Sequence, residues 1–191
     1  MLELEKRETI VPAVKQRRIL AVYAHPDDAE IWAGGTLLAH RAAGDRLALC
    51  VLTHGEGPRA NEAMSGAATL GAQLYHLPFQ DRALRFEQAT LDAVAEVLRA
   101  EQPHIILTHW DGDSHPDHLT TWRIAQSAIM LAEVERTLHA LYWSDTYNGV
   151  GVGGFFAPDC LVDVTPHWEE KLAAIRQHQS QEPEYYVDMV E

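Results

Sequence analysis

"RILAVYAHPDDAEIWAGGTL", residues 18–37, is the stretch that decides the fold. From Ile19 to Ala24 it is apolar or aromatic throughout, with no polar alternation. A strand of that kind is buried on both faces, which happens in parallel sheets covered by helices. The run stops at His25-Pro26-Asp27-Asp28, and Ile31, Leu37 and Leu38 then mark a helical period closed by Gly44. The same unit recurs along the chain. Residues 47–54 (LALCVLTH), 72–79 (AQLYHLPF), 104–110 (HIILTHW), 139–145 (HALYWSD) and 160–165 (CLVDVT) read as further strands. Helical periods cover 59–70, 84–100, 120–138 and 168–178; in the second of these Leu91, Val94, Ala95 and Leu98 fall at i, i+3, i+4 and i+7. The alternation predicts an α/β domain with a Rossmann-like, doubly wound, mostly parallel sheet and helices on both faces. Residues 144–159, with four closely spaced glycines, read either as a loop over a site or as a long connection to the last strand.

The 191 residues suffice for one core, so a single domain over 1–191 is expected, with 1–16 as an N-terminal extension. The net charge of -13 repels phosphate backbones and anionic lipid, which argues against nucleic-acid and membrane partners. Cys50 and Cys160 both lie in apolar stretches and are expected to be buried; two cysteines in a chain of this length do not make a disulfide framework. The charged N-terminus has no apolar signal core and no run matches a membrane span, so a cytoplasmic setting is the expectation.

The motif that ends the first strand nearly repeats in "GDSHPDHLTTW", residues 112–122. Pro26 and Pro116 suit a first helical turn, and the Asp residues after them suit its positive end. Neither preference requires the histidines. With strand order 3-2-1-4-5, strands one and four are neighbours whose crossovers leave in opposite directions, opening a crevice at their carboxyl ends. His25, Asp27, Asp28, His115, Asp117 and His118 then share that crevice. Imidazoles with a carboxylate suit a borderline cation such as Zn2+, and Fe2+ or another divalent ion fits the same donors. His25 and Asp28, like His115 and His118, are three apart and point the same way at a helix start.

At these residues the sequence resembles the PIG-L/LmbE family of zinc-dependent deacetylases. The resemblance rests on AHPDDAE with GGTL, THGE, Arg59–Gly71, HPDH and the closing DVTPHWEEKLAAIRQHQSQ. It implies hydrolysis of an acetyl group from a small-molecule N-acetylated sugar or related amide. It also implies that His25, Asp28 and His118 hold the metal and that Asp27 is the general base. His115, protonated and oriented by Asp117, would stabilise the oxyanion. The family often forms trimers or hexamers, so a homo-oligomer is implied. Ala29 here separates the Asp pair from Glu30, and the chain is shorter than many members after HPDH. Arg59 either contacts substrate or pairs with Glu62.

Other residues read more plainly. His54 and His109 end strands near the crevice. His40, His76, His104, His139 and His167 read as ordinary structural positions, and the helix running to His178 is expected to pack chiefly on the sheet. Trp32 and Trp110 either wall a sugar site or pack in the core. AGGTL lacks the spacing of a dinucleotide-binding loop. Two other functions fit the same residues: a metal-dependent phosphoesterase or esterase, which the scarcity of Lys and Arg near both motifs disfavours, and a non-catalytic metal-binding domain.

Overall fold

Apolar runs with β-branched and aromatic residues form five parallel strands in the computed structural model, which describes residues 16–191. They are β1 (Arg18–Tyr23), β2 (Arg46–Thr53), β3 (Ala72–Phe79), β4 (Ile105–His109) and β5 (Ala140–Ser144), in the order β3-β2-β1-β4-β5. That is the order 3-2-1-4-5 on which the crevice depends. The proposed N-terminal extension lies almost wholly outside the described residues.

Alternate residues of each strand face opposite ways. Leu20, Val22, Ala48, Cys50, Leu52 and Ile106 pack on one side against α3 (Gln88–Glu101) and α4 (Pro116–Ala132), through Val94, Leu98, Ile124 and Ala128. Ile19, Ala21, Tyr23, Leu47, Leu49 and Leu107 pack on the other against α1 (Gly34–Ala42) and α2 (Pro58–Leu70). Each fully buried Leu or Ile contributes roughly 1.5–3 kcal/mol of transfer free energy. The helices after β1 and β4 thus lie on opposite faces of two adjacent strands, and the gap between their first turns is the topological switch point.

Helix ends follow local chemistry rather than apolar period. Glu87 and Thr90 form a capping box, so α3 begins at Gln88 and not at Leu84. Pro116 opens α4, and Glu133, in the left-handed region, closes it well before Leu138. A short π-helical turn, Ala29–Ala33, lies between Asp28 and α1.

The C-terminal third departs most from expectation. Residues 160–165 form no strand; Leu161 is 87% exposed. The sheet ends at β5, and this segment instead crosses the start of α1, where Val164 sits against Gly35. A Cβ on Gly35 would lie 2.6 Å from Val164, so only glycine admits that crossing. Cys160 is accordingly exposed, not buried, whereas Cys50 is buried as expected. Residues 144–159 contain a 3-10 turn (Tyr147–Gly149) and a small antiparallel hairpin of β6 (Val150–Gly151) and β7 (Gly154–Phe155). The helix α5 (Trp168–Ile175) packs mainly across α2, α1 and the π-helical turn, with Ala174 alone reaching the sheet-side core. A further helix, α6 (Pro183–Val190), was not foreseen; Val187 joins Ile31, Leu172 and Ile175 in a separate apolar cluster.

Candidate metal centre and active site

The two HPD turns meet at the carboxyl ends of β1 and β4. His118 Nε2 lies 3.2 Å from His25 Nδ1 and 3.3 Å from Asp28 Oδ1, and His25 Nδ1 lies 3.1 Å from Asp28 Oδ2. Local structure fixes each group. The Asp28 carboxylate accepts the His25 backbone N–H (2.7 Å) and the Trp32 indole N–H (3.1 Å). Asp113 accepts from His118 Nδ1 (3.0 Å) and from the Thr146 hydroxyl, which in turn accepts the Trp110 indole N–H (3.1 Å).

Hydrogen-bond bookkeeping shows what the centre wants. A carboxylate only accepts, so His118 Nδ1 carries the proton given to Asp113 and its Nε2 presents a lone pair inward. His25 Nε2 faces Asp81 (3.1 Å) and Asp117 (3.5 Å), which likewise turns its Nδ1 toward the centre. Two ring nitrogens and a carboxylate therefore converge within 3.1–3.3 Å. Donors about 2.0–2.1 Å from a tetrahedral ion stand roughly 3.3–3.4 Å apart, so the spacing fits one small cation.

Titration points the same way. Burial pulls His25 down, but the Asp28 charge and the bonds to Asp117 and Asp28 outweigh it and push His25 up to about 10. His118 is raised to about 9 against its burial by Asp28 and Asp113. Asp28, though buried, is held well below the usual range by His118, His25 and His109. The centre demands positive charge, from protons or from a cation.

The surrounding residues divide by role. Asp27 accepts from the Arg59 guanidinium at 3.0 Å, and Arg59 also reaches His54 Nε2 at 2.9 Å. Arg59 therefore does not pair with Glu62, whose carboxylate is taken by Ser180. His115 lies in the same cluster as His25 and His118. Its Nδ1 accepts the backbone N–H of Asp117 (3.2 Å), while the Asp117 carboxylate accepts the Arg82 backbone N–H (2.7 Å). The expected orientation of His115 by the Asp117 side chain is thus replaced by a main-chain bond. Nor does the electrostatics favour a protonated His115: burial, His118 and His25 lower its pKa. Its Nε2 is left as a neutral N–H donor.

His109 is wholly buried behind the centre, stacked on His118 with ring centroids 3.7 Å apart, and burial with the His118 charge lowers it to about 4. It is a neutral packing partner whose Nε2 accepts the Ala24 backbone N–H (3.1 Å). Trp32 lines the cavity, whereas Trp110 is buried beneath Gly112 and Gly151. His40, His76 and His104 take ordinary structural hydrogen bonds.

A cavity of about 120 Å³ opens over the centre. Besides residues of the two motifs, its walls include Asp81, Arg82, Tyr147, Gln181 and Tyr186. Sequence reading missed all five, and missed Asp113. Only Asp113, two residues ahead of HPDH, carried a local signal; the others come from loops and from the C-terminal helix. Tyr147 lies in the glycine-rich segment, so that part of the segment does cover the site.

A parallel α/β sheet with a His/Asp cluster at its switch point, built from two HPD turns, defines a doubly wound α/β class whose site lies at the carboxyl ends of the strands. Residues 20–129 match the family model described as GlcNAc-PI de-N-acetylase, PIG-L, and the chain belongs to that family. It is 28% identical to the 4-oxalmesaconate hydratase of Pseudomonas putida, over 90% of this chain and 77% of that one. It is 27% identical to the diacetylchitobiose deacetylase of Thermococcus kodakarensis, over 88% and 71%. The crystal structure of the 4-carboxy-2-hydroxymuconate hydratase of Pseudomonas putida KT2440 superimposes with a TM-score of 0.79 at 28% identity, covering 91% of this chain and 84% of that one. No helix among the described residues is long and apolar enough to cross a membrane.

Proposed function

We propose that the protein is a divalent-metal-dependent hydrolase that removes acetyl groups from N-acetylated sugars or related amides. The observation that carries this reading is the convergence of His25 Nδ1, Asp28 and His118 Nε2, with Asp27 and His115 beside them. His25, Asp28 and His118 would hold the ion, with Zn2+ favoured and Fe2+ compatible. When bound, the cation supplies Lewis acidity and lowers the pKa of water to about 7.

The chain's own groups do the rest. Asp27, with one oxygen held by Arg59, uses the other to take the proton of the attacking water. The water oxygen forms the new C–O bond, the C–N bond breaks, and the proton on Asp27 passes to the leaving amine. The Nε2–H of His115 donates to the carbonyl oxygen as negative charge builds there, a contribution of roughly 2.7–4 kcal/mol for one such donor. Trp32, Tyr147 and Tyr186 line the cavity where a sugar ring would bind, and Arg59 and Asp81 would offer polar contacts.

Water addition to an unsaturated carboxylate is the second reading. It is favoured by Arg82 at the cavity wall, a cation suited to a carboxylate group, beside Arg59, which is already bonded to Asp27. The deciding experiment follows acetate release from N-acetylglucosamine derivatives by the metal-loaded protein. Hydration of unsaturated oxo-dicarboxylates and hydrolysis of p-nitrophenyl phosphate are followed in parallel. Acetate release is expected; turnover confined to either of the other two reactions refutes the deacetylase reading.

A further inference from the structure

A second buried pair lies just beyond Asp28, and the chemistry above does not use it. Glu30, in the π-helical turn, is 0% exposed, and His178, just after α5, is 1% exposed. His178 Nε2 approaches Glu30 Oε1 at 3.6 Å. Neither carboxylate oxygen of Glu30 and neither ring nitrogen of His178 makes a hydrogen bond to any other group. Gly66 of α2 closes the compartment: a Cβ there would overlap Glu30 Oε1 and come within 2.8 Å of His178 Nε2. Within the compartment Glu30 Oε1 and His178 Nε2 face each other, and Glu30 Oε2 and His178 Nδ1 are left without partners.

Both ends of the pair lead to the site. Glu30 follows Asp28 by two residues, in a π-helical turn, a feature frequent at functional sites. His178 leads into the turn Gln179–Gln181, where Ser180 donates its N–H (2.8 Å) and hydroxyl (2.6 Å) to Glu62 of α2. From there Gln181 and Tyr186 reach the cavity wall. The chain from 176 to 186 is also held by the buried Pro183 and by Tyr186, which packs on the cluster of Ile31, Leu172, Ile175 and Val187, while the exposed Arg176–Glu184 pair fixes little. A buried polar pair contributes little stability relative to an apolar substitute; its best-attested use is to fix the register of packed elements.

We propose that Glu30 and His178 are positioning residues: their buried pairing sets the C-terminal wall of the cavity, Gln181 and Tyr186, against the turn that carries Asp27 and Asp28. The pair acts on substrate binding and not on the reacting atoms. The kinetic part of this proposal rests on the deacetylase reading; the structural part does not.

The test uses the full-length, metal-loaded protein with His178→Ala and Glu30→Gln. In His178→Ala, amide hydrogen exchange over residues 176–186 should rise roughly tenfold or more, with exchange in β1 and β4 unchanged. Bound metal per chain should be unchanged. On any N-acetylated sugar that the wild type turns over, KM should rise about tenfold while kcat stays within roughly threefold. Glu30→Gln keeps shape and a hydrogen-bonding amide, and should retain most of the protection and of the wild-type KM. Where His178→Ala does not fold, His178→Gln is read by the same measurements. Unchanged exchange over 176–186 overturns the proposal, and so does a loss of protection spread evenly through the sheet with KM unaltered. Exchange needs no substrate, so a wild type without deacetylase activity defeats the functional reading while leaving this one to be decided.

Discussion

His118 Nε2 stands 3.2 Å from His25 Nδ1, although 93 residues separate the two in the chain. Asp28 completes a triangle with them, and Asp113 fixes the ring of His118 from behind. Two lone pairs and a carboxylate held this close repel one another unless a positive charge sits among them. We expect the purified protein to carry one divalent ion per chain by elemental analysis. His118→Ala and Asp28→Ala should lose it. Free metal at about 1,000 times Kd should add about 4 kcal/mol to the wild type's stability and little to either variant's.

Asp27 lies beside the centre but bonds to Arg59, not to the three converging donors. Asp27→Asn should therefore keep its full complement of metal and its fold, while kcat falls by roughly 10²–10⁴-fold as general-base assistance is lost. Parallel metal analysis and steady-state kinetics settle it; wild-type turnover by Asp27→Asn rules out the assigned base.

Asp113 touches no substrate-facing surface and is 0% exposed. Its role is to hold the proton of His118 Nδ1. Asp113→Ala should weaken metal affinity by roughly 10–100-fold, the usual cost of losing a carboxylate behind a histidine ligand. Competition against a chromogenic chelator would measure this, and an unchanged affinity would show that the bond does not orient the ring.

The two thiols differ in kind. Burial pushes Cys50 up to about 12, so at pH 8 it stays protonated and out of reach, whereas Cys160 is exposed. Since the thiolate is the nucleophile, Ellman's reagent should titrate one thiol per native chain and two after denaturation. The sign for stability follows: burying Cys50 as a neutral thiol is fully compatible with folding below about pH 9 and becomes costlier as pH rises toward 12. Rapid reaction of both thiols in the native protein would contradict the buried placement of Cys50.

The strand–turn–helix rhythm was legible from residues 18–37 outward because doubly buried strands leave an unbroken apolar signature. The paired HPD motifs were legible because both stand where an apolar strand ends and a helix begins. The segment 160–165 misled because an apolar stretch becomes a strand only where a sheet edge receives it, and here it covers the glycine of α1 instead. Helix starts at Gln88 and Pro116 were set by caps that periodicity does not see.

By itself, then, the sequence determined the five strands of the sheet and singled out His25, Asp27, Asp28, Arg59, His115, Asp117 and His118 as candidates, since backbone propensity and side-chain chemistry are properties of short stretches. Only the tertiary structure decided which of these groups face one another. It turned Asp117 from His115 toward Arg82 and His25, paired Arg59 with Asp27, brought Asp113, Tyr147 and Tyr186 to the site, and buried His178 against Glu30 beside it. Those pairings depend on distances across the sheet and on which proton each ring can give, and chain spacing encodes neither.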